Sequence, residues 1–358
     1  MRERKKEDNK KIKKLAKLIV EYCCDVRKDD NVIIITGLPA KPLILELYKE
    51  IIKKGAYPRI EWDIEGFSPI YYQYASKEQL LHYPKIVEYI YKNMDVFMFI
   101  RAPIKRDECK NCDINKIAIR QKIIRKIKHI YLKKRYVIFD WPTKTLAKAA
   151  KMKPSEYRKF VFSACLQNWE KERKKMLKIK ELLNKTDKVR IIGDDTDLTF
   201  SIKSKNAIVN YGPDNLPGGE VFTAINEKTA NGFIRFTYPL RYFDRKISNI
   251  KLWFKNGRVV KAESNNMKAL NTLLNTDKGA RYIGEFGIGC NKKINIFSDN
   301  LLFDEKINGT IHLALGMAYP ECGGKNKSAI HADIVKDMKK GKMFFDNKLV
   351  YKNGRFIF

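Results

Sequence analysis

The sequence predicts an α/β protein with an N-terminal doubly wound parallel α/β domain over residues 1–188 and a C-terminal mixed α/β domain over residues 189–358. In the first half, short apolar segments alternate with helix-like segments, which is the pattern of a parallel sheet covered by helices. The second half instead contains short strands, many glycines and hairpin turns. A chain of 358 residues is also long enough for about two domains of ordinary size.

The first domain begins with the apolar run NVIIITG at residues 31–37, which predicts a strand that ends at a glycine. A helix follows over residues 41–54, and Gly55 closes it. The apolar positions expected to share one face of this helix are Leu43, Leu45, Leu47, Ile51 and Ile52. Further strands are expected at residues 58–64, 95–102 and 137–140.

A helix is expected throughout residues 154–184, and residues 186–190 are expected to form the hinge into the second domain. The clearest hairpin lies at residues 250–263, where Asn256-Gly257 is the preferred two-residue turn between alternating apolar positions. A helix is expected near residues 266–274. Later strands are expected near residues 281–286, 310–318 and 329–335.

The net charge is +32, from 73 Lys and Arg against 41 Asp and Glu, and most of the excess lies in residues 1–190. A basic surface of this kind suits phosphate contacts with a nucleic acid. No nucleic-acid-reading motif accompanies the charge, so a solvated basic surface is the preferred interpretation. A nucleic-acid partner stays as the less favoured alternative.

The first residues alternate basic and acidic side chains without an apolar stretch, so we expect no signal peptide. No apolar run approaches the roughly 18 residues of a membrane span, and we expect no membrane partner. Seven cysteines are too few and too scattered for a disulfide scaffold of this length. The sequence therefore predicts a cytoplasmic protein.

Polar residues in apolar surroundings mark the second half as the chemically active one. His331 and Asp333 are two positions apart in a predicted strand, so both side chains should point to the same face, and His312 lies in another strand. Glu220 and Glu285 follow or precede glycines within apolar segments, where an unpaired carboxylate is costly. This pattern favours a metal site, and the alternative is a pair of ordinary core histidines.

Several ordered motifs in residues 191–340 resemble those of the thermophilic dinuclear metallo-aminopeptidases of the aminopeptidase T type. The motifs are GDDTDLTFSI, NLPGGEVFTA, NGFIRFTYPL, KGARYIGEFGIG, LLFDE, IHLALGMAY and SAIHADIV. The resemblance implies a metal-dependent hydrolase that removes the first residue of peptides with a free N-terminus. We also expect a homodimer. The competing function is a basic nucleic-acid-binding protein with a drifted, inactive peptidase site.

Carried over to this sequence, the resemblance implies two divalent ions of zinc, cobalt or manganese. The implied metal ligands are Glu220, Glu285, Glu305, His312, His331 and Asp333. Four carboxylates balance the charge of two divalent cations, and two imidazoles add nitrogen ligands that suit these metals. Tyr319 matches the active-site tyrosine, which would donate to the oxyanion, and Glu285 is the candidate for proton transfer to the leaving amine.

Overall fold

The structure is a computed structural model that describes residues 2–106, 108–242 and 245–357. The chain divides into two compact units, Met1–Gln167 with Gly212–Gly218 and Asn168–Tyr211 with Gly219–Phe358. The predicted fold class is confirmed, because a parallel sheet with helices occurs beside antiparallel sheets. The predicted domain boundary between residues 188 and 189 stays a prediction.

The first unit contains a five-stranded parallel sheet. Its strands are β1 (Asn31–Thr36), β2 (Tyr57–Trp62), β3 (Val96–Arg101), β4 (Arg135–Asp140) and β8 (Asp214–Leu216), in the order β2-β1-β3-β4-β8. Its helices are α1 (Arg2–Lys17), α2 (Lys41–Lys53), α3 (Phe67–Tyr74), α4 (Lys77–Leu81), α5 (Lys85–Lys92), α6 (Ile114–Tyr131), α7 (Lys144–Ala149) and α8 (Pro154–Cys165). A π-helical turn, Leu18–Cys23, continues α1.

Helix α2 corrects one sequence prediction. Leu43, Leu47 and Ile51 are buried, as their spacing of four residues requires. Leu45 and Ile52, which we expected on the same face, are instead exposed. At 100° per residue, Leu45 lies on the side of the helix opposite Leu43, so one face cannot hold both.

The chain also differs from the prediction where it passes from the first unit into the second, which begins at Asn168. The helix expected throughout residues 154–184 is broken into α8 and α9 (Trp169–Asn184). The break occurs because the side chain of Asn168 accepts a hydrogen bond from the Lys171 amide and starts a new helix. Residues 188–190 of the expected hinge instead form the first half of strand β5 (Lys188–Gly193).

The second unit contains an eight-stranded antiparallel sheet. Besides β5, its strands are β6 (Thr196–Ser201), β10 (Asn231–Arg235), β13 (Lys251–Lys255), β14 (Arg258–Glu263), β18 (Lys342–Phe345), β19 (Lys348–Lys352) and β20 (Arg355–Phe356), in the order β14-β13-β10-β6-β5-β18-β19-β20. Strands β11 (Leu240–Tyr242) and β12 (Arg245–Ile247) pair as a separate two-stranded antiparallel sheet. Helices α10 (Met267–Leu274) and α11 (Leu301–Asp304) complete the unit.

A five-stranded antiparallel sheet supplies the remaining strands of the second unit. They are β7 (Ile208–Asn210), β9 (Glu220–Thr223), β15 (Ile283–Gly289), β16 (Thr310–Gly316) and β17 (His331–Asp337), in the order β17-β16-β15-β9-β7. Alternate residues on β15, β16 and β17, among them Phe286, Leu313 and Ile334, pack into the main hydrophobic core. The side chains between them point to the opposite face of the sheet.

Across residues 2–106, 108–242 and 245–357, no helix is both long enough and apolar enough to cross a membrane.

The predicted hairpin is confirmed. Asn256 and Gly257 join β13 to β14, and both have positive φ angles, of 50° and 82°. A Cβ atom built on Gly257 would lie only 1.6 Å from the Glu227 carbonyl oxygen. Gly257 is therefore required both by its backbone angle and by the close approach of another loop.

We expect Gly257→Ala to lower the free energy of unfolding by clearly more than the roughly 1–2 kcal/mol that a left-handed alanine costs, because it adds a backbone clash. Gly354→Ala is the matched control: it has a φ of 77° at a second Asn-Gly turn, but its nearest contact would lie at 3.4 Å. Urea denaturation of both variants measures the difference. Equal losses for the two variants would contradict the interpretation.

Candidate metal centre

The five-stranded sheet brings five of the predicted ligands to one face. Each of them lies opposite a glycine or an alanine on a neighbouring strand. The pairs are Glu220–Gly289, Glu285–Ala314, His312–Gly287, His331–Gly316 and Asp333–Ala314. Small partners leave space above the sheet for the longer polar side chains.

Glu285 connects the two histidines. One of its oxygens, Oε1, lies 3.1 Å from His312 Nε2, and the other, Oε2, lies 3.4 Å from His331 Nε2. Glu220 Oε2 lies 3.4 Å from His312 Nε2, and Asp333 Oδ2 lies 3.6 Å from His331 Nε2. These contacts define two groups of three residues that could hold a metal ion, with Glu285 in both.

Backbone carbonyls orient both imidazole rings. His312 Nδ1 lies 3.1 Å from the Glu305 carbonyl oxygen, and His331 Nδ1 lies 2.8 Å from the Met317 carbonyl oxygen. A carbonyl only accepts hydrogen bonds, so each Nδ1 carries a hydrogen and donates it. Each Nε2 therefore faces the carboxylates, which is the arrangement that metal-binding histidines commonly have.

Nearly all of this cluster is buried. Glu220, Glu285 and Asp333 are at most 8% exposed, and His312 is 1% exposed. Asp333 Oδ1 is buried without a hydrogen-bond partner. An unpartnered carboxylate oxygen in such a position is costly unless a cation binds it. The donor set of carboxylates and imidazoles fits zinc, cobalt or manganese.

Burial and mutual contacts shift the acid–base properties of the cluster. Burial raises the pKa of Glu220 to about 7 and the pKa of Asp333 to about 6. Burial also acts to raise the pKa of Glu285, but hydrogen bonds from both histidines outweigh it and lower that pKa to about 2. Against the effect of burial, the adjacent carboxylates raise the pKa of His312 to about 9 and the pKa of His331 to about 10. The cluster thus attracts positive charge strongly.

The structure brings Tyr319 to the same place. Its ring centroid lies 4.9 Å from that of His331 and 5.7 Å from that of Phe222. The residue directly precedes a short 3-10 turn, Pro320–Cys322, and is half-buried. The predicted tyrosine therefore packs against one of the two imidazoles of the cluster.

Glu305 occupies a different position from the other five predicted ligands. It belongs to neither group of three, and its carboxylate accepts a hydrogen bond from Lys306 Nζ. Lys306 also lies 3.2 Å from Glu220 Oε1 and is fully buried. Contacts with both carboxylates raise the pKa of Lys306 although burial opposes this. Lys306 was not among the predicted site residues, although a basic residue directly after a predicted ligand was a visible signal.

The fold and this buried cluster of carboxylates and imidazoles define a metal-dependent enzyme. The model of the thermophilic metalloprotease family (M29) matches residues 8–356, and the chain belongs to that family.

Known proteins support this assignment. The chain is 25% identical to aminopeptidase 2 from Geobacillus stearothermophilus over 91% of each chain. The solved structure of wild-type AmpT from Thermus thermophilus has the same fold, with a TM-score of 0.84 over 98% of this chain and 99% of that one, at 20% identity. A 2,5-dihydroxypyridine dioxygenase from Pseudomonas putida KT2440 shares the fold at a TM-score of 0.63, 13% identity and coverage of 98% and 97%. The fold alone therefore does not decide the reaction.

We expect Gly287→Ala to weaken metal binding by about 10- to 100-fold, as changes beside ligands commonly do. A Cβ atom on Gly287 would lie 2.0 Å from His312 Nε2 and would displace the imidazole. The metal content of the purified protein after dialysis against limiting zinc measures the loss. Gly193→Ala is the control in the same unit, because its nearest contact would be a lysine side chain at 3.4 Å. Full metal content in Gly287→Ala would show that the His312 imidazole does not need the space next to Gly287.

Proposed function

We propose that this protein is an aminopeptidase that hydrolyses the first peptide bond of peptides with two divalent ions bound at the described cluster. The observation that carries the proposal is the position of Glu285, which contacts both histidines and belongs to both ligand groups. A carboxylate that belongs to both groups would hold both ions of a two-metal site. Membership of the M29 family and the similarity to aminopeptidase 2 support the same reaction.

In this proposal, Glu220, Glu285 and His312 hold one ion, and Glu285, His331 and Asp333 hold the other. The orphaned Asp333 Oδ1 supplies one further donor atom. Glu305 adds negative charge next to this set, and Lys306 holds its carboxylate. Zinc, cobalt and manganese all suit this mixture of oxygen and nitrogen donors.

When bound, the ions would supply Lewis-acid activation of the scissile carbonyl and of a water molecule. The chain itself would supply proton transfer and oxyanion stabilisation. Each Glu285 oxygen has two lone pairs, so it would hold an ion with one and, with the other, guide the proton of the attacking water to the leaving amine. The Tyr319 hydroxyl would donate a hydrogen bond to the oxyanion.

The cluster would also favour the first peptide bond. The free α-amino group of a peptide would be held by a bound ion or by a carboxylate of the cluster, next to the scissile bond. An internal peptide bond has no such group beside it. The homodimer and the cytoplasmic location expected from the sequence remain predictions.

We expect Glu285→Gln to reduce kcat/KM by roughly 10²–10⁴-fold, which is the range that a general acid–base group supplies. The assay uses metal-loaded protein and aminoacyl p-nitroanilides, with their N-acetylated forms as substrates that should not react. Glu263→Gln makes the same change at an exposed carboxylate on β14 and should leave the activity unchanged. Full activity in Glu285→Gln, or activity that persists after chelation of the metal, would refute the proposal.

We expect Tyr319→Phe to lower kcat by roughly 10²-fold, which is a typical loss for one oxyanion donor. KM and metal content should stay close to those of the unmodified protein, because the ring that packs on His331 is retained. Tyr242→Phe removes a hydroxyl that contacts Thr276 and serves as the control. If the loss in Tyr319→Phe appears in KM or in metal content instead, the tyrosine has a binding or structural role.

A further inference from the structure

Lys306 is a buried cation that the proposed chemistry does not use. It is fully buried, and its ammonium group contacts Glu220 and Glu305. Its backbone is held on both sides, since its amide donates to the Phe303 carbonyl and its carbonyl accepts from the Asn291 amide. These two hydrogen bonds hold the backbone from which the Lys306 side chain extends towards the carboxylates.

The other lysine that is buried in the described part of the second unit behaves differently. Lys336 is 3% exposed, and its ammonium group donates to the backbone carbonyls of Asp194 and Arg235. These hydrogen bonds satisfy the ammonium without using a carboxylate oxygen. Lys306 instead uses one oxygen of a proposed metal ligand, and burial of its charge is tolerated because carboxylates compensate it.

The ammonium of Lys306 makes the net charge of the cluster less negative. Glu220, Glu285, Glu305 and Asp333 would balance two divalent ions by themselves, but the ammonium of Lys306 cancels one of their charges. A first divalent ion still meets a strongly negative cluster. A second ion makes the sum of the charges positive in a buried place, where Coulomb energies are large.

The ammonium also acts unequally on the two ligand groups. It contacts Glu220, which belongs to the group with His312. In the described part of the chain, neither His331 nor Asp333 forms an ion pair with Lys306, and Asp333 Oδ1 has no hydrogen-bond partner. Repulsion by the ammonium therefore falls mainly on an ion in the His312 group.

We propose that Lys306 is a built-in cation of the metal centre that makes the two sites unequal, with tight binding at His331 and Asp333 and weak binding at Glu220 and His312. The inference rests on the proposed two-ion function. It implies that the protein holds one ion under conditions in which the second exchanges with solution.

Isothermal titration calorimetry of the chelator-treated full chain with cobalt(II) tests the inference. The unmodified protein should show two binding events whose affinities differ by about tenfold or more. Lys306→Met should tighten the weaker event by about tenfold or more, since it removes the repulsion. Lys306→Arg keeps the charge and should retain two unequal events. Lys336→Met is the matched buried-lysine control and should bind cobalt as the unmodified protein does.

The variants His312→Ala and His331→Ala give a second measurement that does not depend on whether Lys306→Met folds. His312→Ala should lose the weak event, and His331→Ala should lose the tight one. Two equal events in the unmodified protein, or loss of the tight event in His312→Ala, would overturn the inference. An unchanged or weaker second event in folded Lys306→Met would overturn it as well.

The proposed function and this inference fail in distinguishable ways. If no aminoacyl reporter loses its N-terminal residue, the aminopeptidase function is refuted. The role of Lys306 still stands in that case, provided that the two cobalt sites are unequal and respond to Lys306→Met. An active aminopeptidase with equal sites would refute the role of Lys306 and leave the function intact.

Discussion

The alternation of side chains along β15 and β16 is the constraint on which the rest of the second unit depends. Phe286 and Leu313 point into the main core, and Glu285 and His312 point to the opposite face. A shift of one residue in the register would turn the carboxylate into the apolar core and the phenylalanine to the face of the polar cluster. The hydrophobic free energy of the core therefore also fixes which atoms meet at the cluster. Stability and ligand geometry are two results of the same strand pairing.

The second constraint is free space on the face of the sheet that carries the polar cluster, and glycine provides this space. A glycine weakens a strand because it has more freedom in the unfolded chain. Gly287 is tolerated because its neighbours Phe286 and Ile288 are buried on the other face. The chain thus combines large apolar residues below the sheet with small residues above it. A strand designed for stability alone would have β-branched residues on both faces of the sheet.

Much of the cluster could be predicted from the sequence, because the ligands lie on strands whose two-residue period is visible in HAD and GEF. The Asn256-Gly257 turn was also predictable, because a turn of this type depends on residues that are adjacent in sequence. The break at Asn168 and the exposure of Leu45 were not predicted. A polar residue within a long helical pattern can be a cap or a surface residue, and tertiary packing decides between them. Lys306 was missed because burial of a lysine depends on partners that are distant in sequence, such as Glu220.

The contrast between the net charge and Lys306 shows why position matters more than number. The surplus of +32 is the most conspicuous property of the sequence. Many of its lysines form exposed ion pairs, such as Lys175 with Glu172, and pairs of this kind contribute little because water and salt screen them. Lys306 contributes a single charge, but water is excluded around it and two carboxylates touch it. One buried ammonium therefore changes the electrostatics of the buried cluster more than a large surplus of exposed charge.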